Sequence, residues 1–552
     1  MSSDGTLNGL CFVWEKPKHG RGGGFSNLAE LVLGSYGLDV VPSDTILETD
    51  PLQIKAREVA SFILELPAGK AFINADYDVD GTSAGAILGG VLRKLGWDVR
   101  VFIPDRFEDA YGVNKLVIES AWAEDKFDLL VAADCGSTEM QWLGEFGRSK
   151  NCRVLVVDHH KKTYHDELGV VEMNPQNHLG EGVHEYGYCT AVLAAMIAEE
   201  IGRADKNVGV SKYKILAGMA ALADVTAMNC SIARHYAKCF LNSQAGECEA
   251  LDALVEVSKS SRPLETSDAS FKIIPMLNAA GRMRNATVLV ALWDCDDYQE
   301  CLRVANRLWS LNRDRRRIQE EVTKRAAAGH HPGNRVLLSW HESWHPGVVG
   351  PAAGQLVERY GIPVFLGGFL PQKNYFSFSG RGPEGMDIHS LVSKNAEGLP
   401  ISFGGHKVAL GMKVQARDVQ CLVELGRRME KDIPELVKPR RKLAGILKGS
   451  SVNYVNYEAV RSLEPFGSGF PSPIFCVANL DISLTPMAGI GDSASGLAKS
   501  KDGHIFPVVV FKSPKLSKIK KITGHIVGEM VCSPTGGEKA IKLLIKDIIP
   551  TT

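Results

Sequence analysis

The sequence predicts a mixed α/β protein: a doubly wound parallel-sheet domain, joined by a long helix to a second α/β domain and followed by a small β-barrel. Three observations predict it. From residue 70, short apolar runs alternate with amphipathic stretches, as repeated βαβ units do. Residues 301–329, CLRVANRLWSLNRDRRRIQEEVTKRAAAG, carry apolar positions at helical spacing among dense Arg and Lys. After residue 450 the chain changes to short runs of β character separated by turn residues.

Taken in order, residues 1–69 form an N-terminal segment expected to pack on the core, with PKHGRGGGF reading as a Gly-rich loop. Residues 70–300 form the first domain, with strands expected at AFINA (71–75), DVRVFI (98–103), DLLVAA (128–133), RVLVV (153–157) and GVVEMN (169–174). Between them lie GTSAGAILGGVLRKLG (81–96) and NKLVIESAWAE (114–124), both helix-like. YCTAVLAAMIAEEIG (188–202) and KYKILAGMAALADVT (212–226) are apolar enough to lie buried against the sheet. Residues 301–330 are the connecting helix, ended by HHPGN. In 331–445 a second α/β pattern runs RVLLSW, PAAGQLVERYG, IPVFLGG, NYFSFSGR. In 446–552, SPIFCVANLDISL, HIFPVVVFK, ITGHIVGEMV and AIKLLIKDII fit a small barrel of OB-fold type.

Composition narrows the function classes. With 45% apolar and 23% charged residues and a formal net charge of -1, the chain has no overall basic coat, although local basic grooves are compatible with that balance. The 12 cysteines contain no C-x-x-C pair, so neither a structural zinc nor a redox pair is indicated. No basic segment followed by an apolar one opens the chain, and no apolar run is long enough to span a bilayer. The expectation is a soluble cytoplasmic protein with no membrane partner.

In an open parallel sheet, functional groups gather beyond the carboxyl ends of the strands. Three expected strands end in ligand-type residues: AFINA runs into Asp76, Asp78 and Asp80, LLVAA into Asp134, and RVLVV into Asp158, His159 and His160. So many carboxylates in one place repel one another unless cations neutralise them. Oxygen ligands mixed with imidazole and free of thiolate point to Mn²⁺ or Mg²⁺. The number of anionic ligands suits two divalent ions, roughly 3.5–4 Å apart in two-metal hydrolases. Such a pair activates a water and steadies charge on a phosphoryl oxygen, which suits phosphoester or phosphoanhydride hydrolysis. The rival reading, that these aspartates are helix caps and the histidines core residues, explains one strand end easily and three together poorly.

DYDVDGTSA (76–84), ADCGS (133–137) and VDHHK (157–161) resemble the ordered motifs of the DHH phosphoesterase superfamily. LADVTAM (222–228), LNAAGRMRNA (277–286), WHPGVVGPAAGQLVERYGIPVF (344–365), SFSGRG (377–382) and SFGGHKVALGM (402–412) narrow the similarity to the RecJ single-strand-specific exonucleases, with a DHH domain, a DHHA1-type domain and an OB-fold. The resemblance runs from about residue 70 almost to the C-terminus. It implies Asp78, Asp80, Asp134, His159 and Asp224 as metal ligands, with Asp76 in the remaining acidic position and His160 facing the scissile phosphate. Asp224 enters through the resemblance alone.

The resemblance also implies substrate-binding positions: Asn278 and Arg282 of LNAAGR, Ser379 and Arg381 of SGR, and Gly404, Gly405 and His406 of GGH. Closely spaced glycines let backbone N–H groups approach phosphate oxygens, and Arg adds a two-pronged clamp. In PDRFEDAYG (104–112), Arg106 is placed to meet a terminal phosphate and Tyr111 to limit what fits beside it. Three basic runs are candidates for a groove along the sugar-phosphate chain: Arg313, Arg315, Arg316 and Arg317; Lys438, Arg440, Arg441 and Lys442; and Lys512, Lys515, Lys518, Lys520 and Lys521.

The activity expected from the resemblance is 5′→3′ hydrolysis of single-stranded DNA to 5′-mononucleotides in recombination and repair. The expected protein is a monomer, with a single-stranded-DNA-binding protein or a helicase as candidate partners. The alternatives are a phosphodiesterase of short oligonucleotides or cyclic dinucleotides, and an inactive replication scaffold. The intact carboxylate set argues against the scaffold.

Overall fold

Five strands build the first sheet: β1 (Lys70–Ala75), β2 (Asp98–Phe102), β3 (Leu129–Ala133), β4 (Arg153–Val157) and β5 (Val170–Met173). All pair in parallel, in the order β2-β1-β3-β4-β5. The computed structural model describes residues 13–15, 28–46, 50–109, 112–161, 169–179, 187–331, 333–433, 440–489, 491–513, 515–535 and 538–551. Parallel strands covered on both faces need unbroken apolar runs. Every residue of β3 is buried, as are Val154–Val157 of β4.

Seven helices matter for the site: α1 (Pro51–Glu65), α2 (Val79–Lys94), α3 (Lys115–Glu124), α4 (Met140–Lys150), α5 (Thr190–Ala204), α6 (Ser211–Ala223) and α7 (Ser231–Leu241). On one face, Ile118 and Ala121 of α3 and Leu143 and Phe146 of α4 share a core with Phe72, Leu130 and Val154 of the strands. α2 lies against β1 and β2 and packs on α5 and α6, and α1 packs on α5. The sheet is therefore wound on both sides, with its strand order reversing between β1 and β3.

This unit covers Pro42–Arg316 together with Glu464–Pro471. It thus starts well before residue 70, and the described part of segment 1–69 divides: α1 belongs here, while the described residues up to Val41 belong to the second unit. Helix α8 (Ile274–Met283) follows within the first unit. The connecting helix α9 spans Tyr298–Ala328. Its buried positions, Leu308, Asn312, Arg315, Gln319, Val322 and Ala326, recur at spacings of three and four. Arg315 is thereby removed from the expected basic groove: helical periodicity turns it inward, where its Nε donates to Asn312 Oδ1 at 3.0 Å.

The second unit holds a mixed sheet of β6 (Leu337–His341), β7 (Val364–Leu370), β8 (Tyr375–Arg381), β9 (Ser402–His406) and β10 (Ala409–Gln415), in the order β9-β10-β8-β7-β6. Helix α10 (Pro346–Tyr360) packs on β7 and β8. The same unit contains a barrel of β11 (Phe475–Pro486), β12 (Ala494–Ser500), β13 (Ile505–Val510), β14 (Lys521–Thr535) and β15 (Glu538–Pro550). The order β11-β12-β13-β15-β14 closes through pairing of β11 with β14, which leaves no open edge among these five strands. Among the described residues, no helix is long and apolar enough to cross a membrane.

Candidate active site

The site lies at the carboxyl ends of β1, β3 and β4, at the reversal of strand order, where diverging connections leave an opening. β1 ends at Ala75 and the next residue is Asp76; its N–H donates to Ala133 O (3.2 Å), so the ladder runs up to the first carboxylate. Asp78 caps α2, its Oδ1 accepting from Gly81 N at 3.0 Å. Asp80 falls in the first turn of the same helix. The tight strand-to-helix turn depends on Gly81, where a Cβ would sit 2.6 Å from Asp76 O. Asp134 follows β3 with φ 62°. Asp158, His159 and His160 follow β4.

Three sets of candidate ligand atoms lie within 4.8 Å of one another: Asp76, Asp78 and Asp134; Asp80, His159 and Asp224; and Asp134, His159 and His160. His159 Nε2 stands 3.4 Å from Asp134 Oδ1 and 3.9 Å from both Asp80 Oδ2 and Asp224 Oδ2. The structure thus brings all seven expected catalytic residues into sets that share His159 and Asp134, and His160 Nδ1 stands 3.8 Å from Asp134 Oδ1. Asp224 comes from a helix end rather than a strand end, as the C-cap of α6.

The residues fit a pair of divalent ions. Asp76 Oδ1 is buried with no hydrogen-bond partner, an arrangement that only a proton or a cation makes tolerable. Burial, then the Asp78 charge, pushes the Asp76 carboxyl up to about 8. Burial, then Asp80 and Asp78, pushes Asp134 well above the usual carboxylate range. Asp224 rises to about 7 through burial, against the pull of His159 and with the push of Asp80. Without cations Asp76, Asp134 and Asp224 are drawn toward their protonated forms; oxygen ligands with one or two imidazoles and no thiolate suit Mn²⁺ or Mg²⁺.

Asp158, which patterning placed at a strand end without a role, and Thr190 and Asn174, which it passed over, support this set. Asp158 accepts from Ser137 N (3.1 Å), His159 N (2.8 Å) and His160 N (3.1 Å), and bonds His160 Nδ1 at 2.8 Å. Burial opposes its charge, yet the His160 hydrogen bond and positive charge hold it well below the usual range. For His160, burial works downward and the Asp158 bond prevails, raising it to about 9. Asp158 therefore orients the histidines as their partner. Thr190 Oγ1 donates to Asp134 Oδ1 (2.9 Å), and the first amides of α5, Thr190 N and Ala191 N, donate to the two oxygens of Asp80 (both 2.8 Å). Asn174 Nδ2 donates to Ser137 Oγ (2.8 Å) and His160 O (3.0 Å). For Asn174 and Thr190 the sequence signal was only a polar residue directly after β5 and at the start of the apolar α5.

Around this centre, the Arg106 guanidinium lies 5.2 Å from the centre of the Tyr77 ring. Arg282, in the last turn of α8, is near enough to act on the same ring electrostatically. Asn278 is half-buried on α8, and Gly281 on that helix lets it approach Tyr77 O, 2.7 Å from where a Cβ would stand. Tyr111 and Lys438 lie outside the described residues.

In the second unit, Ser379-Gly380-Arg381 and Gly404-Gly405-His406 flank β10 in matched register. Gly411 faces Ser379 and Gly404, Leu410 faces Gly380 and Gly405, and Ala409 faces Arg381 and His406. Ser379, Arg381, Gly404 and His406 therefore share one sheet face. Arg381 Nη1 donates to Ser379 Oγ (2.9 Å) and Gly380 O (2.8 Å), which fixes the guanidinium. Gly405, at φ 141°, brings its strand so close that a Cβ would sit 2.6 Å from Ala409 O.

Three family models match: the DHH family N-terminal domain over residues 70–223, the DHHA1 domain over 333–431 and the RecJ OB domain over 444–547. The single-stranded-DNA-specific exonuclease RecJ of Escherichia coli (strain K12) is 26% identical over 480 residues, 79% of this chain and 82% of that protein. The RecJ of Dickeya dadantii is 26% identical over 522 residues, 87% of each. The fold resembles that of RecJ from Thermus thermophilus in complex with Mn²⁺ (TM-score 0.77, 22% identity, 95% of this chain and 76% of that one). A manganese-bound exonuclease RecJ structure matches at TM-score 0.58 and 26% identity, over 70% of this chain and 96% of that one.

Proposed function

Because the chain belongs to the DHH/DHHA1 phosphoesterase superfamily as a RecJ-type member, we propose that it is a metal-dependent exonuclease of single-stranded DNA. It hydrolyses phosphodiester bonds from the 5′ end to give 5′-mononucleotides, in DNA recombination and repair. The observation that carries the reading is the meeting of Asp76, Asp78, Asp80, Asp134, His159 and Asp224 at one sheet end, with a buried Asp76 oxygen left unpartnered. Asp76, Asp78 and Asp134 would hold one divalent ion, and Asp80, His159 and Asp224, with Asp134 between the sets, the other. When bound, such a pair activates a water and neutralises charge on the scissile phosphoryl group.

The chain's own residues do the rest. His160, held cationic by Asp158, presents positive charge and a proton beside Asp134 for a phosphate oxygen. Thr190 and the α5 amides keep Asp134 and Asp80 in place. Arg106 and Arg282 are the candidate clamps for backbone phosphates. The Ser379/Arg381/Gly404/His406 face supplies further phosphate contacts, and the barrel guides the strand. The protein works in the cytoplasm as a monomer, on strands freed by a helicase or coated by a single-stranded-DNA-binding protein.

The test is degradation of 5′- and 3′-labelled single strands of DNA and RNA, of duplexes and of dinucleotides, with Mn²⁺ and with chelator. Mononucleotides should leave from the 5′ end of single-stranded DNA only when Mn²⁺ is present, and Asp134→Ala should abolish this while the fold persists. A preference for dinucleotides, or full activity in Asp134→Ala, would overturn the reading.

A further inference from the structure

Asp224 is the one candidate ligand that no sheet strand delivers. It ends α6, and Thr226 N donates to Ala221 O (3.1 Å), closing the last turn around Val225 at φ 58°. That left-handed position normally falls to glycine; a β-branched residue there is strained. Val225 is also 68% exposed, so no burial of its side chain holds the turn. Something beyond the turn must therefore fix it.

The segment Glu464–Pro471 does so. It lies in the chain just before the first barrel strand yet belongs to the catalytic unit. Met228 N donates to Ser468 O at 2.7 Å, and Ala227 and Ser468 form a parallel bridge. Gly467 and Gly469 approach so closely that a Cβ would stand 2.6 Å from Met228 Cγ and 2.4 Å from Asn229 Oδ1. The link is Arg234 of α7, fully buried. Its Nη1 donates to Met228 O (3.2 Å) and Pro465 O (3.0 Å), its Nη2 to Glu464 O (3.1 Å), and its guanidinium lies 5.2 Å from the centre of the Phe470 ring. Phe466 N donates to Thr266 Oγ1 at 3.1 Å, tying the far side of the segment. A buried guanidinium that satisfies carbonyls on two segments at once sets their separation.

We propose that Arg234 and the segment 464–471 form a positioning clamp for Asp224, so that the affinity of the centre for its divalent ions depends on residues more than 230 positions away in the chain. Arg234 touches neither metal nor substrate; it acts through Met228 and the strained turn. The inference rests on Asp224 being a metal ligand.

The experiment is Mn²⁺ titration of the full-length protein by calorimetry, with nuclease rates measured across Mn²⁺ concentrations. Outer partners of metal ligands typically change affinity by roughly 10–100-fold. Arg234→Lys should weaken Mn²⁺ binding within that range, with kcat restored at high Mn²⁺; a merely structural role would lower the melting temperature and leave binding by the folded fraction unchanged. Thr266→Val, which removes only the acceptor for Phe466 N, should weaken binding several-fold and decides the matter if Arg234→Lys does not fold. Asp224→Asn separates the premises. If it loses Mn²⁺ affinity while the folded clamp variants bind as tightly as the unaltered protein, the clamp is refuted. If Asp224→Asn itself binds Mn²⁺ undiminished, the ligand role fails and the proposal falls with it.

Discussion

Asp76, Asp78, Asp134 and Asp224 are each worse off as anions in the folded chain than in water unless they are protonated or bound to a cation. Asp76 is raised to about 8 by burial and Asp78, and Asp224 to about 7 by burial and the neighbouring carboxylates, against an unfolded value near 3.9. Between those values the folded state binds more protons than the unfolded one, so the metal-free protein loses stability as pH climbs from about 4 through 8. His160, raised to about 9 chiefly by Asp158 against burial, acts in the same sense: its contribution is complete below about 6.5 and is lost through 9. In chelator, the melting temperature should therefore fall by several degrees from pH 5.5 to pH 8.5. Mn²⁺ should close that gap, because it binds the ionised set. A flat profile in chelator would contradict the electrostatic account. The same residues mark what the sequence makes legible. Asp76, Asp78, Asp80, Asp134 and His159 each follow a buried apolar run, so their convergence can be read from patterning. Asp224 follows a helix, and nothing local separates it from any polar helix end. The orienting role of Asp158 depends on which amides meet it in space.

Among the elements, the strand-to-helix turn after β1 governs the geometry. Small residues in GTSAGA indicate close approach, and the structure gives the reason at Gly81 and Gly85: Cβ atoms there would meet Asp76 O at 2.6 Å and Ala75 Cβ at 3.0 Å. Gly81→Ala therefore sets a methyl group against backbone, which cannot swing aside as a flexible side chain would. Overpacking of this kind costs about 1–3 kcal/mol. A displacement of about 1 Å at reacting groups lowers rates on the order of 100-fold. The variant should fold with a lower denaturation midpoint and show a loss of that order in kcat, whereas Gly85→Ala, facing only side-chain methyl groups of Ala75 and Val101, should do less in both assays. Equal effects at the two positions would deny the turn its special part. Other element-level features hide from sequence because two rules compete. Arg315 is a charged residue that side-chain chemistry places outside and helical period places inside, and period prevails. Val225 occupies a left-handed turn that composition would assign to glycine.

Across the whole molecule, the two units divide the chain differently from any linear reading, since Glu464–Pro471 joins the first unit while its flanks belong to the second. Only packing reveals such an excursion, because the Gly and Pro of EPFGSGFP mark a turn without saying which unit it joins. The barrel closes as expected, and its run of Lys515, Lys518, Lys520 and Lys521 stands exposed. A solvated decoration and a phosphate-tracking surface look alike in isolation, but they differ in salt response. Each phosphate neutralised on a single strand adds about 0.7 to the slope of log affinity against log salt. Replacing the four lysines by alanine should thus reduce that slope by roughly 2–3 on strands long enough to reach the barrel. Hydrolysis of a dinucleotide, which needs only the metal centre, should be unaltered. The measurement is binding of a long and a short oligonucleotide to the variant in chelator at several salt concentrations, alongside dinucleotide turnover in Mn²⁺. An unchanged slope on long strands would assign these lysines to solubility alone, and a parallel fall in dinucleotide turnover would mean that the substitutions had disturbed the fold.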